Sequence, residues 1–121
     1  MKIPGPDHPI TVAPNPNRIV VTFGGRTLAD SSRALTLRES TYPPVHYIPR
    51  DDVDMALLEQ STHATRCPYK GKASYCSIRG NGRLAENAVW TYEAPYEAVA
   101  EIKDHLAFYP NLVDAIEERA A

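Results

Sequence analysis

The chain predicts a mainly β fold of the α+β class: one small domain of antiparallel hairpins with one short and one longer helix. Three observations predict it. Eleven prolines in 121 residues leave no room for long helices in the first half, because proline removes a backbone donor and clashes with the preceding turn. β-branched and alternating apolar segments recur between glycine turns, at the period of two that marks half-buried strands. The length suits one domain that buries roughly two thirds of its unfolded surface and folds without staples.

The elements follow in order. Residues 1–17 hold Pro4, Pro6, Pro9, Pro14 and Pro16, and proline pushes its predecessor toward extended backbone, so this is an extended arm or edge. The domain proper is residues 18–121. Arg18 to Phe23 is a β-branched strand, Gly24-Gly25 a hairpin turn and Arg26 to Asp30 the return. In Arg33 to Glu39, Leu35 and Leu37 share one face and Thr36 and Arg38 the other. Tyr42-Pro43-Pro44 is a stiff entry to a short strand, Val45 to Ile48, which Pro49 ends at an edge or terminus. Asp51 or Asp52 caps a short helix near 51–58, with Val53, Ala56 and Leu57 as its apolar stripe. Ser61 to Arg66 is a strand that enters the turn Cys67-Pro68-Tyr69-Lys70-Gly71, and Lys72 to Arg79 returns. Gly80-Asn81-Gly82 is the strongest hairpin signal, and Arg83 to Glu93 is its partner strand. Pro95 opens a helix near 95–107 on which Val99, Ile102 and Leu106 line one face. Asn111 to Ala121 reads either as a strand at Leu112-Val113 or as a continuing helix through Ile116.

Composition excludes several function classes. Apolar residues are 43% and charged residues 23%, ordinary for a soluble globular protein. No apolar run approaches the ~18–20 residues of a membrane span. The start, Met1-Lys2-Ile3-Pro4-Gly5-Pro6, has no apolar core of the kind a secretory signal carries. Two cysteines without a disulfide framework point to a reducing compartment, the cytoplasm. A net charge of −2 and a pI near 6.1 argue against a nucleic-acid surface, which needs clustered positive charge. Seven of the ten aromatics are tyrosine, the residue of half-polar cavities and interfaces, including those of a homo-oligomer; strand-face tyrosines on a pleated sheet are the plainer account of any one of them.

Reactive chemistry concentrates in Thr65-Arg66-Cys67-Pro68-Tyr69-Lys70-Gly71. Arg66 and Lys70 beside Cys67 would raise its thiolate fraction, which makes Cys67 a candidate nucleophile; a small apolar residue filling the hairpin base is the other reading. Tyr69 and Lys70 are the candidate acid–base groups. Arg50 offers a planar fork for a carboxylate or phosphate and Lys70 a point charge. Tyr42, Tyr69 and Tyr109 supply walls and hydroxyl donors, and Trp90 a wall or floor. Solvated surface charges are the plain alternative for Arg50 and Lys70. Cys67 and Cys76 lie nine apart, and His8, His46, His63 and His105 are scattered, so no metal site is expected. No phosphate-cradling glycine loop is present, and no cofactor is expected.

Several blocks then share an order with a known family. They are Ala29-Asp30-Ser31 with Ala34-Leu35; Tyr42-Pro43-Pro44-Val45 to Tyr47-Ile48-Pro49-Arg50-Asp51-Asp52-Val53; Cys67-Pro68-Tyr69-Lys70-Gly71 to Ala73 and Tyr75; Asn87 to Trp90 and Tyr92; and Ala107-Phe108-Tyr109. From Arg18 to Val113 the chain resembles domain-of-unknown-function family 427, a bacterial domain. His46 stands where an aromatic is expected and Cys76 where a large residue is common. The resemblance implies a β-tent fold, similar to methionine-R-sulfoxide reductases and the imide-binding domain of cereblon. Those relatives commonly hold zinc on paired Cys-x-x-Cys, which this chain lacks, and fold alone carries no function. The family supplies no settled activity, only attention to Tyr42, Arg50, Cys67, Tyr69, Lys70, Trp90 and Tyr109. The expectation is a cofactor-free pocket for a small polar molecule bearing a carboxylate, phosphate or carbonyl. A protein-interaction module using the same groups is the competing class, and a thiol-redox enzyme built on Cys67 the third.

Overall fold

A computed structural model describes residues 1–121. Ten strands form two antiparallel sheets: β1 (Ile10–Pro14), β2 (Arg18–Phe23), β3 (Arg26–Ser31), β4 (Leu35–Glu39), β5 (Val45–Pro49), β6 (Leu58–Cys67), β7 (Gly71–Gly80), β8 (Arg83–Thr91), β9 (His105–Phe108) and β10 (Ala115–Arg119). Seven strands run β1-β4-β5-β9-β8-β7-β6, and three run β10-β2-β3. The mainly β class is therefore the observed one. No helix is long and apolar enough to cross a membrane.

The hairpins follow the turn chemistry. Phe23 pairs with Arg26 around Gly24-Gly25, and Gly80 pairs with Arg83 around Asn81 and Gly82, whose φ values are 52° and 77°. Two positive φ values in succession match the twist of the flanking strands, and asparagine and glycine tolerate them.

The helices differ from expectation. The short helix near 51–58 is two 3-10 turns, Arg50–Asp52 and Met55–Leu57. Between them Val53 is extended and bridges Ala29, while the Asp54 amide donates to the Leu28 carbonyl. A cross-sheet anchor thus breaks the local helix. The longer helix near 95–107 is a 3-10 stretch, Glu97–Ile102, broken at Val99. Three residues per turn still stack Val99 over Ile102, so the apolar spacing is met without an α-helix. Asp104, at φ 57°, then turns the chain into β9, where alternation takes over: Leu106 and Phe108 face one core, and Ala107 faces the other. In the last segment the strand is Ala115–Arg119, paired with β2, and Pro110–Leu112 is a 3-10 turn. The proline-rich arm contributes β1, an edge strand on β4, with Pro14 at its end, where a missing ladder donor costs least.

Two cores lie on opposite faces of the larger sheet. Between the sheets pack Ile19, Val21, Phe23, Leu28, Ile48, Ile78, Val89 and Leu106. On the other face pack Leu37, Tyr47, Tyr75, Tyr92, Val99 and Ile102. One joint in this sheet positions everything that follows. β5 and β9 pair only at Ile48–Leu106 and Pro49–His105. β4 follows β5 along Val45 to Tyr47, and β8 follows β9 along Leu106 to Phe108. The sheet therefore parts beyond Ile48, with β1-β4-β5 on one side and β9-β8-β7-β6 on the other.

Candidate functional site

The parted sheet encloses a cavity of about 450 Å³. From the β4-β5 side come Leu37 and Glu39, then Tyr42 and Pro43 from the connecting turn, then Val45 and Tyr47. These positions follow from alternation: 37 and 39, and 45 and 47, share a face of their strands. From the other side come Tyr75 of β7, Trp90 and Tyr92 of β8, Tyr109 just beyond β9, and Lys70 from the β6–β7 turn.

Trp90 joins the two walls across β9, its indole Nε1 donating to the Tyr47 hydroxyl at 3.2 Å. Its ring meets Tyr47 edge-on at 6.3 Å and leans on Tyr109 at 4.5 Å. The Tyr75 hydroxyl lies 3.0 Å from the Thr65 hydroxyl and 3.4 Å from that of Tyr109. Burial raises the Tyr47 and Tyr92 phenols far above their ordinary range. Burial, then the hydrogen bond with Tyr75, pushes Tyr109 up to about 12. At neutral pH these groups are neutral hydroxyls that donate and accept, and none is poised as a base.

The charged end is compact. Lys70 is 8% exposed, and its Nζ donates to Glu39 Oε1 at 2.5 Å. The other Glu39 oxygen, Oε2, meets His8 Nε2 at 2.7 Å. Burial opposes the charge on Glu39, but the bonds to Lys70 and His8 outweigh it and hold the carboxyl below its ordinary value. His8 comes from the N-terminal arm and stacks on Tyr69, ring centres 4.1 Å apart and planes at 7°. The Lys2 amide donates to the Pro68 carbonyl at 2.7 Å, which ties the arm to the same turn.

Four of the residues singled out from sequence therefore share one cavity: Tyr42, Lys70, Trp90 and Tyr109. Tyr69 lies beneath His8 rather than in the cavity wall. Arg50 lines a second cleft of about 300 Å³ with Ser74, Cys76 and Glu93, which shares only Tyr75 with the cavity, so it and Lys70 do not form one anion clamp. Cys67 is half-buried at the end of β6 and packs against the tyrosine-rich core, outside the cavity lining. Glu39, His8, Tyr47, Tyr75 and Tyr92 were not singled out. For Glu39 a signal existed, a carboxylate continuing the Leu35–Leu37 face; His8 had none, because its contact spans 31 residues.

A family model described as "Domain of unknown function (DUF427)" matches residues 11–119. No curated protein matches the chain.

Proposed function

The chain belongs to domain-of-unknown-function family 427, and from that premise we propose that it binds a small polar molecule through a carbonyl group in the cavity of the parted sheet. The observation that carries this reading is the convergence of Tyr42, Lys70, Trp90 and Tyr109, with Glu39, on about 450 Å³ of mostly apolar, aromatic space. Small-molecule sites have this size and balance, with a few placed polar groups in an aromatic cup.

Of the three head groups considered, the carbonyl fits best. Lys70 is already neutralised by Glu39, so a carboxylate or phosphate would gain one cation and face a carboxylate. An amide-like group meets a donor in Lys70 and an acceptor in Glu39, and the tyrosine hydroxyls serve either. Any proton exchange would run through Lys70 and Glu39, and no cofactor is invoked. The reading sets this pocket in a bacterial cytoplasm, on the ground of the family resemblance and two unpaired cysteines.

A protein-interaction module is the second reading, favoured by Tyr42, which is 62% exposed at the rim; the concavity of the site speaks for the pocket. A thiol-redox role has less support, since Cys67 lies outside the cavity.

Thermal unfolding against a library of small amides and other carbonyl compounds tests the reading. A ligand at 100 times its Kd adds about 2.7 kcal/mol, so its midpoint shift is plain. We expect a shift that is lost in Tyr42→Ala/Tyr109→Phe and kept in Arg50→Ala. A shift lost only in Arg50→Ala would move the site to the Arg50 cleft. No shift across the library would favour the interaction module.

A further inference from the structure

The cavity has a neighbour behind it. Between the two sheets lies a second space of about 250 Å³, lined by Ile19, Val21, Ile48, Phe108 and Ile116 with His46. Val45 and Trp90 line both spaces. They stand where β5 and β9 cease to pair, so these two side chains form the wall that the two cavities share.

Their chemistries are opposite. The first holds the Lys70–Glu39 pair and the tyrosine hydroxyls. In the second the one ionisable side chain is spent: His46 Nδ1 lies 2.9 Å from the Thr36 hydroxyl and Nε2 3.4 Å from Glu118 Oε1. The rest of its lining is mostly apolar, so the inner space suits an apolar group better than a polar one. Protein interiors pack to crystal density, and a mostly apolar space of this size gains wall contacts when an apolar group fills it.

We propose that the two spaces form one divided binding site for an amphipathic small molecule. Its carbonyl head lies in the tyrosine cup, and its apolar chain passes Val45 and Trp90 to lie between the sheets against Phe108 and Ile116. This rests on the reading above for the head group and adds the ligand class. Trp90 serves both halves, holding the walls together through Tyr47 and giving its ring to the passage.

The test uses the full chain and the fluorescence of Trp90, its one tryptophan. Titration with butanamide, hexanamide and octanamide holds the head constant while the chain grows. Burying each methylene tightens binding about fourfold, so the dissociation constant should fall steeply along the series. Ile116→Phe, which fills the inner space, should leave octanamide binding no tighter than butanamide. The wild-type series stands alone if that variant does not fold. Equal affinity for all three amides would overturn the divided site and leave the carbonyl pocket standing. Tightening that survives Tyr42→Ala/Tyr109→Phe unchanged would overturn the head-group placement, and hence the divided site. No binding at any length would overturn both. Self-association of the wild type that Ile116→Phe abolishes would assign the inner space to a second copy and overturn the proposal.

Discussion

Glu39 answers to two partners from distant parts of the chain, Lys70 on the β6–β7 turn and His8 on the arm, each 31 residues away. Its carboxyl lies below its ordinary value in the folded protein, against about 4.3 when unfolded. A depressed folded value means that ionised Glu39 stabilises the fold above about pH 4.3, and that this is lost as pH falls through the folded value. We expect Glu39→Gln to cost about 2 kcal/mol at pH 7, the range of a hydrogen bond to a charged partner, and to flatten the fall in stability between about pH 5 and pH 3. Urea unfolding across that range checks it; parallel curves for the two proteins would mean that Glu39 is not linked to folding. At this scale the sequence was half legible. Lys70, Tyr42, Trp90 and Tyr109 stood out by type and neighbours, whereas Glu39 reads as an ordinary strand-end charge until its partners are seen.

The turn between β6 and β7 shows how an element sets a site. Cys67 pairs with Gly71 to close it, the Lys70 carbonyl accepts from the Tyr96 amide at 3.0 Å, and the side chain of Lys70 is thereby directed into the cavity. Gly71 has φ 105°, where a Cβ would meet the Ala94 carbonyl at 3.5 Å and the Tyr96 ring at 3.7 Å. Those are ordinary contacts, so the obstacle to a side chain is the backbone conformation rather than space. Gly71→Ala should therefore destabilise by about 2 kcal/mol, and relaxation of the turn should carry Lys70 off Glu39. Chemical denaturation measures the first effect and the Glu39 titration the second. A neutral Gly71→Ala would show that the turn holds no such constraint. The turns were legible because glycine, proline and asparagine punctuate locally. The segment 97–108 was not, because Val99, Ile102 and Leu106 satisfy helical spacing while the pairing of β9 with β5 and β8 takes Leu106 into a strand.

Across the whole molecule, stability and site meet at one joint. Leu106 is fully buried, pairs with Ile48 and Thr91, and holds the last ladder step before the sheet parts. Leu106→Ala should cost about 3 kcal/mol, while the exposed Leu84→Ala stays within about 0.5 kcal/mol. Because Leu106 ties the two walls, the same change should weaken amide binding even under conditions where the protein remains folded. Denaturation and the Trp90 titration read the two effects separately; full stability in Leu106→Ala would place the joint elsewhere.

By itself the sequence determined the mainly β class, both glycine-rich hairpins and the family, and it pointed to three of the six aromatic residues that line the cavity, because turn chemistry and strand alternation are local. Tertiary structure alone decided the rest. It turned the expected long helix into a 3-10 stretch and a central strand, set Arg50 apart from Lys70, and brought His8 and Glu39 to the site. Those outcomes depend on contacts between residues tens of positions apart, whose geometry is set by which strands pair and by where the sheet stops pairing.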